Sequence, residues 1–236
     1  MKGGVSVVMP CLNEAGTLEA AIRNAREFLT RESVAGEIVV ADNGSTDGSR
    51  EIARAAGARV VEVARRGYGA ALRGGIEAAG GDVVVMGDAD TTYDFNEASR
   101  MLDEIRNGAD FVIGSRLKGR IESGAMPFLH RHFGTPVLSG LIRLLYGVEV
   151  SDCNCGLRAF TASAYQRMGL VTDGMEFASE MICRAARTGL RIVEVPVTLR
   201  RPTSVRRAHL RSVRDAFRHL LVIFGLHRKG TGHESH

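Results

Sequence analysis

From Val5 to Val197, short apolar runs alternate with segments of helical periodicity, and most of the runs end in a cluster of polar residues. Val5–Met9 reads as a first strand, stopped by Pro10. Asn13 or Thr17 then caps a helix to about Leu29, with Leu18, Ile22, Ala25 and Leu29 on one face. Glu37–Ala41 is a second strand, 42–48 a turn, Ser49–Ala56 a helix and Ala58–Val63 a third strand. Arg66-Gly67-Tyr68-Gly69 introduces a helix to about Ala79, and Val83–Met86 is a buried strand ending in Gly87. Phe95–Asn107 is helical and Phe111–Ile113 is strand again. Strand and helix alternating through turns of a few residues predict an α/β fold: a mostly parallel, doubly wound sheet with helices on both faces.

In such sheets ligands gather beyond the carboxyl ends of the strands. Asn13-Glu14, Asp42–Asp47, Asp88–Asp90 and Ser115-Arg116 all fall there. Asp88-Ala89-Asp90 follows the Val83–Met86 strand directly. Two carboxylates one residue apart suit a hard divalent cation, which takes oxygen ligands and bridges to substrate phosphates. By itself such a short motif equally fits an ordinary turn or helix cap. Four polar clusters on one rim argue for a site.

Residues 117–150 are less regular, with a loop over Gly119–Pro127 and a leucine-rich helix over Leu138–Leu145. Met175–Arg187 is helical and Arg191–Val197 is a last strand, so a main domain over 1–200 is expected with an appended element over 201–236. The 44% apolar and 25% charged residues are those of an ordinary globular chain, and no apolar run is long enough to span a membrane. The first residues read as a strand and not as a signal segment, giving a cytoplasmic expectation. Cys11, Cys153, Cys155 and Cys183 form no disulfide framework, and Cys153-x-Cys155 lacks the second pair a zinc site needs.

VSVVMPCLNEAGTLEAAI, EIVVADNGSTDGS, RGYGAALRGGI, DVVVMGDAD, FVIGSR and DCNCGLRAF follow one another in the order found in family 2 glycosyltransferases. The chain most resembles the branch of the dolichol-phosphate mannose synthases and polyprenyl-phosphate glucosyltransferases, over about residues 4–200. That resemblance implies a GT-A fold and an inverting transfer of a hexose from a UDP- or GDP-sugar to a polyprenyl phosphate, assisted by Mg²⁺ or Mn²⁺. It implies that Asp90 is a direct metal ligand central to catalysis, with Asp88 on the metal or the ribose and Ala89 between them in the donor site. Pro10, Leu12 and Glu14 match positions around the base and ribose. Asp42 and Asn43 stand where two aspartates often occur, Arg66 lies near the nucleotide, and Arg116 matches an arginine near the diphosphate. Asp152 matches an aspartate near the sugar, to orient a hydroxyl or act as base. Arg131 resembles an acceptor-phosphate arginine, with His130, Arg200 and Arg201 as further candidates. The pattern departs at Thr92, where relatives often carry a glutamine, leaving the third metal ligand open. Asp47 is either part of the site or a helix cap, and Glu176 and Glu180, one turn apart, are most simply solvated helix acids.

Apolar Val205, Leu210, Val213, Phe217, Leu220, Leu221 and Phe224 recur at helical intervals among arginines from Ser204 to Leu226. This basic amphipathic helix either lies on the inner face of a membrane, as a peripheral contact, or packs on the domain or on a second subunit in a homodimer. A nucleotidyltransferase would need a glycine-rich, lysine-bearing signature absent from Met9–Gly16. A nucleic-acid module would need aromatic stacking platforms, and the chain has no tryptophan. The remaining alternative is a soluble family 2 enzyme acting on a small molecule or glycan.

Overall fold

The computed structural model describes residues 3–202 and 212–231. Strands β1 (Val5–Cys11), β2 (Gly36–Asp42), β3 (Arg59–Glu62), β4 (Val83–Met86), β5 (Phe111–Ile121), β6 (Arg158–Thr161) and β7 (Ile192–Leu199) form one sheet in the order β3-β2-β1-β4-β6-β5-β7. The helices are α1 (Leu18–Arg31), α2 (Ser49–Ala55), α3 (Tyr68–Ala78), α4 (Ala98–Arg106), α5 (Thr135–Tyr146), α6 (Ala162–Met168), α7 (Phe177–Arg187) and α8 (Ser212–Thr231). The apolar runs of β1, β2, β4 and β5 are buried along most of their length, as strands covered on both faces must be. The right-handed β1-α1-β2-α2-β3 progression puts α1 and α2 on one face, and the return through α3 to β4 covers the other.

The expected parallel sheet differs in one strand. β6 runs antiparallel to both neighbours, pairing Val84 with Phe160 and Val112 with Ala159. The preceding segment, 151–157, lies at the carboxyl ends of β4 and β5. A strand entering the sheet from that rim without a crossover helix has to run the opposite way. β5 also runs on to Ile121, into the start of the segment read as a loop, with a register shift against β7 between Ser115 and Arg120. The short helix α6 was not foreseen; Thr161 caps it by accepting from Ala164 N at 3.1 Å.

Pro10 does not end β1. It pairs in register with Ala41, and the strand runs on to Cys11. Val8 O accepts from Gly87 N on the β4 side and Cys11 O accepts from Asn43 N on the β2 side, so by alternation the nitrogen of Pro10 points toward β4. The ladder there ends at Val8 and Met86, and no donor is required.

Within the described residues α8 packs on α7 and α5. His219 Nδ1 and Ser179 Oγ are 2.7 Å apart, and Tyr146 donates its hydroxyl to Ile223 O at 2.6 Å. One side of the helix therefore docks on the domain. Val205, Leu210 and the start of the expected helix at Ser204 lie outside the described residues.

A buried arginine holds the rim loop to the sheet. Arg158 is 0% exposed. It donates to Cys155 O at 2.9 Å, Cys153 O at 2.8 Å and Ala178 O at 2.8 Å, with its guanidinium 5.9 Å from the centre of the Phe111 ring. Burial lowers its pKa, an effect opposed by the surrounding tyrosine, thiol and Asp152 groups. Arg158→Met should strand three carbonyls and cost about 3 kcal/mol of unfolding free energy, read as a lower urea midpoint. An unchanged midpoint would show the loop to be held by other contacts.

Candidate active site

The rim formed by the carboxyl ends of β1, β2, β4 and β5 collects most of the polar clusters, at the β1/β4 boundary where the chain progression reverses. The loops after β1 and β2 are laced together. Asn13 N donates to Ser45 Oγ (2.8 Å), Glu14 N to Ser49 Oγ (2.9 Å) and Ala15 N to Asp47 Oδ2 (3.0 Å), while Asn13 Oδ1 accepts from Thr46 N (2.7 Å). Asn13 adopts φ 57° to do so, a region its short polar side chain tolerates. Pro10, Leu12 and Glu14 are half-buried along this loop. Asp47, one residue before the Gly48 that occupies the N-cap of α2, also accepts from Ser49 N at 3.1 Å.

Asp42 and Asn43 differ from the expectation of ligand contact, because their polar atoms are taken by backbone. Asp42 is buried and accepts from Gly44 N and Ser45 N at 3.0–3.2 Å. Asn43 donates to Val63 O (3.0 Å) and Arg65 O (2.8 Å) and accepts from Gly67 N (2.8 Å). Asparagine suits this position where aspartate would not, since two of the three bonds need a donor. Arg66 donates to Asn43 O and lies over Gly44, where a Cβ would collide with its guanidinium.

β4 delivers the two acids side by side. Asp88 Oδ1 accepts from the Tyr68 hydroxyl at 3.1 Å. Its pKa is pushed up to about 7, first by burial and next by the Asp90 charge, with Tyr68 and Arg116 opposing. Asp90 Oδ1 accepts from Thr92 N (3.0 Å) and Thr92 Oγ1 (2.6 Å). Thr92 is thus not a spare ligand: its hydroxyl points its proton at Asp90 and fixes that carboxylate. Its carbonyl in turn accepts from Arg200 N at 2.9 Å. No group of three or more His, Cys, Asp or Glu side chains able to hold a metal occurs among the described residues. Asp88, with its raised proton affinity, beside the Asp90 carboxylate fits a divalent cation that completes its shell with water and substrate phosphate oxygens.

Arg116 and Asp152 form the second half of the site. Asp152 is 0% exposed and accepts from Arg116 Nε (2.6 Å), Nη2 (2.7 Å) and backbone N (3.0 Å). With both oxygens in a bidentate pair, it holds the guanidinium in place and does not offer a base or a sugar contact. Burial works against the Arg116 charge, but Tyr93, Asp152 and Cys155 outweigh it and raise the guanidinium's pKa. The arginine is therefore a fixed cation near Asp88. Asp152 is positioned in turn by Glu194, whose Oε1 accepts from Ser151 N (2.8 Å) and Asp152 N (3.0 Å), and Glu194 pairs with Lys118 at 2.8 Å. An acid inside the apolar run of β7 is a signal of such a buried partner, and it was not used. Tyr68, Tyr93, Gly156 and Arg158 were likewise missed as parts of the site.

Arg200 and Arg201 line a cleft of about 380 Å³ with Thr17, Thr91, Tyr93 and Glu122. Arg200 is tied to Asp94 at 2.5 Å and Arg201 N to Glu122 at 2.9 Å. His130 and Arg131 are not among its lining residues; they occupy a π-helical turn, His130–Gly134, leading into α5. Glu180 is not a solvated acid: it is buried, accepting from Val171 N, Thr172 N and Arg184 Nε. Glu176 Oε1 accepts from Gly174 N at 3.3 Å.

The model of glycosyl transferase family 2 matches residues 6–169. The low-salt glycan biosynthesis hexosyltransferase Agl6 of Haloferax volcanii is 44% identical over 217 residues, 92% of this chain and 52% of that protein. A dolichyl-phosphate hexose transferase of the same organism is 34% identical over 196 residues, 83% of this chain and 82% of that one. The chain spans 52% of Agl6 and 62% of the glycosyltransferase AglJ, so it corresponds to little more than half of these two relatives. Among solved structures, glucosyl-3-phosphoglycerate synthase from Mycobacterium tuberculosis superposes with TM-score 0.74 at 24% identity, covering 95% of this chain and 80% of that one, in a complex with Mn²⁺, UDP and glucosyl-3-phosphoglycerate. Its complex with Mg²⁺ and UDP gives TM-score 0.73 at 25% identity, covering 94% and 80%. The GT-A expectation holds.

Gly156 supplies a local test of the site. A Cβ there would stand 2.6 Å from Asp88 Oδ2, and its N–H donates to Tyr93 Oη at 3.0 Å. Gly156→Ala should displace Asp88 and lower Mn²⁺ affinity about tenfold or more, by calorimetry, with the thermal transition little changed. Unaltered affinity would remove Asp88 from the metal site.

Proposed function

Because the chain belongs to glycosyl transferase family 2, we propose that it transfers a hexose from a UDP- or GDP-sugar to a polyprenyl phosphate with inversion, using Mg²⁺ or Mn²⁺. The observation that carries this reading is the placing of Asp88, Asp90 and a buried-paired Arg116 on one rim. A diphosphate leaving group needs its charge neutralised by groups fixed in advance. Asp88 and Asp90 would hold the cation, which when bound acts as Lewis acid on the diphosphate. Arg116, locked by Asp152, presents a fixed positive charge to the same oxygens.

The acceptor phosphate is already an anion, so its oxygen attacks the anomeric carbon without a strong general base, and the bond to the diphosphate oxygen breaks. The burial of Asp152 agrees with that requirement. Approach of two anions demands cations on the acceptor side. Arg200 and Arg201 at the cleft, with His130 and Arg131 on the outer turn, serve there, and the chain contacts the membrane peripherally to reach a lipid-linked acceptor. The dolichyl-phosphate hexose transferase relative supports the lipid acceptor. A second reading, a small soluble acceptor, is favoured by the phosphoglyceric acid complex of the Mycobacterium synthase.

Incubation with a panel of UDP- and GDP-sugars and either polyprenyl phosphate or 3-phosphoglycerate separates the two. Transfer to the lipid phosphate alone is expected, and transfer to phosphoglycerate alone overturns the lipid assignment. Asp90→Asn should abolish transfer while leaving the thermal transition in place. Thr92→Val, which removes the hydroxyl bond to Asp90, should lower the rate about tenfold to a hundredfold; full activity in Asp90→Asn would end the metal assignment.

A further inference from the structure

The turn that follows the acid pair is strained. Thr91 adopts φ 65°, a conformation that a β-branched residue holds only where its surroundings impose it. Ties on both sides do so here. Thr91 Oγ1 donates to Asp90 O and Thr92 N to Asp90 Oδ1, while Arg200 N donates to Thr92 O. Further on, Asn24 Nδ2 donates to Asp94 Oδ1 at 2.9 Å, and Asn24 Oδ1 accepts from Phe95 N at 2.7 Å. Between these ties the chain turns Tyr93 inward, where it is 4% exposed.

Tyr93 spans two parts of the site. Its ring lines the cleft bordered by Arg200 and Arg201. Its Oη accepts from Gly156 N at 3.0 Å, beside Asp88: a Cβ on Gly156 would stand 3.1 Å from Tyr93 Cε2 and 2.6 Å from Asp88 Oδ2. That bond fixes the oxygen but leaves its proton. Among the described residues the Tyr93 hydroxyl donates to no acceptor, and Asp88 takes its phenol hydrogen bond from Tyr68 instead. A buried phenol ordinarily gives its proton to a partner. Burial holds the Tyr93 pKa well above the usual tyrosine value, against the pull of Arg116, so the group is a donor and not a base. Arg116, clamped by Asp152 at 2.6 and 2.7 Å, stands on one side and Arg201 borders the cleft on the other. Those cations favour an anionic oxygen over a neutral sugar hydroxyl, and a hydrogen bond to a charged acceptor is the stronger kind. We infer that Tyr93 donates its hydroxyl hydrogen to a phosphate oxygen of the bound substrates, where the acid pair meets the cleft. The proton stays on the phenol, and the bond strengthens with the charge on that oxygen. Two sources supply such an oxygen, the diphosphate of the donor and the phosphate of the acceptor. The inference rests on the reading of this rim as a site for a nucleotide-diphosphate sugar and a phosphorylated acceptor.

Tyr93→Phe in the full chain tests it. Transfer should fall about a hundredfold in kcat/KM, while the thermal transition and the Mn²⁺ affinity by calorimetry stay in place. An unchanged rate overturns the inference. A fall in Mn²⁺ affinity that matches the loss of rate also overturns it, because the residue would then act only by holding Gly156 and Asp88. Fluorotyrosine at position 93 keeps the hydroxyl and reports on it through its ¹⁹F resonance, without relying on the variant's fold. A shift on adding UDP or GDP with Mg²⁺ assigns the hydroxyl to the donor diphosphate, and a shift on adding polyprenyl phosphate alone assigns it to the acceptor. No shift with either, or a shift only with the complete nucleotide sugar, would overturn the inference, the latter by pointing to a sugar hydroxyl. Failure of the unaltered chain to transfer to polyprenyl phosphate would count against the proposed acceptor alone, since the response to the nucleotide still reads the Tyr93 contact.

Discussion

The rim depends on a charge buried without a carboxylate bonded to it. Arg158 spends its donors on the carbonyls of Cys153, Cys155 and Ala178, and in doing so ties the 153–155 loop and α7 to β6. That loop carries Asp152 at one end and Gly156 at the other. Asp152 clamps Arg116, and Gly156 leaves room for Asp88. A planar, multiply donating cation is the side chain able to satisfy three carbonyls at once. The two halves of the site, the acid pair and the arginine, are therefore held in one frame by the 152–156 loop and the buried Arg158 beneath it.

The same economy runs outward from there. Glu194 holds the backbone of Ser151 and Asp152, while Thr92 and Tyr68 each fix one carboxylate of the acid pair. Fixed geometry matters because a site that stabilises a leaving diphosphate works through charges already in position. The raised pKa of Asp88 comes first from its burial and next from the Asp90 charge, and a bound cation would offset both.

Local chemistry was legible along the chain, and pairings across it were not. The end of β4 at an acid pair, the helices and the rim clusters follow from patterns a few residues long. Asp152 was expected near the sugar because it matches a family aspartate there, and its partner Arg116 lies 36 residues away. Thr92 read as an empty place in a ligand set until its hydroxyl was seen to face Asp90. Glu180 read most simply as a solvated helix acid, yet the 171–172 backbone covers it. The C-terminal helix was taken to use a single apolar face, whereas one side docks on α5 and α7 and Phe217, Leu221 and Phe224 stay exposed on the other.

By itself the sequence determined the alternation of strand and helix, the carboxyl-end rim and the acid pair, since each is set by side-chain periodicity and turn chemistry within a short window. Tertiary structure alone decided the antiparallel β6, the Arg116–Asp152 clamp and the burial of Arg158. Those depend on which distant segments a sheet of this order brings together, and on the need of every buried polar group for a partner.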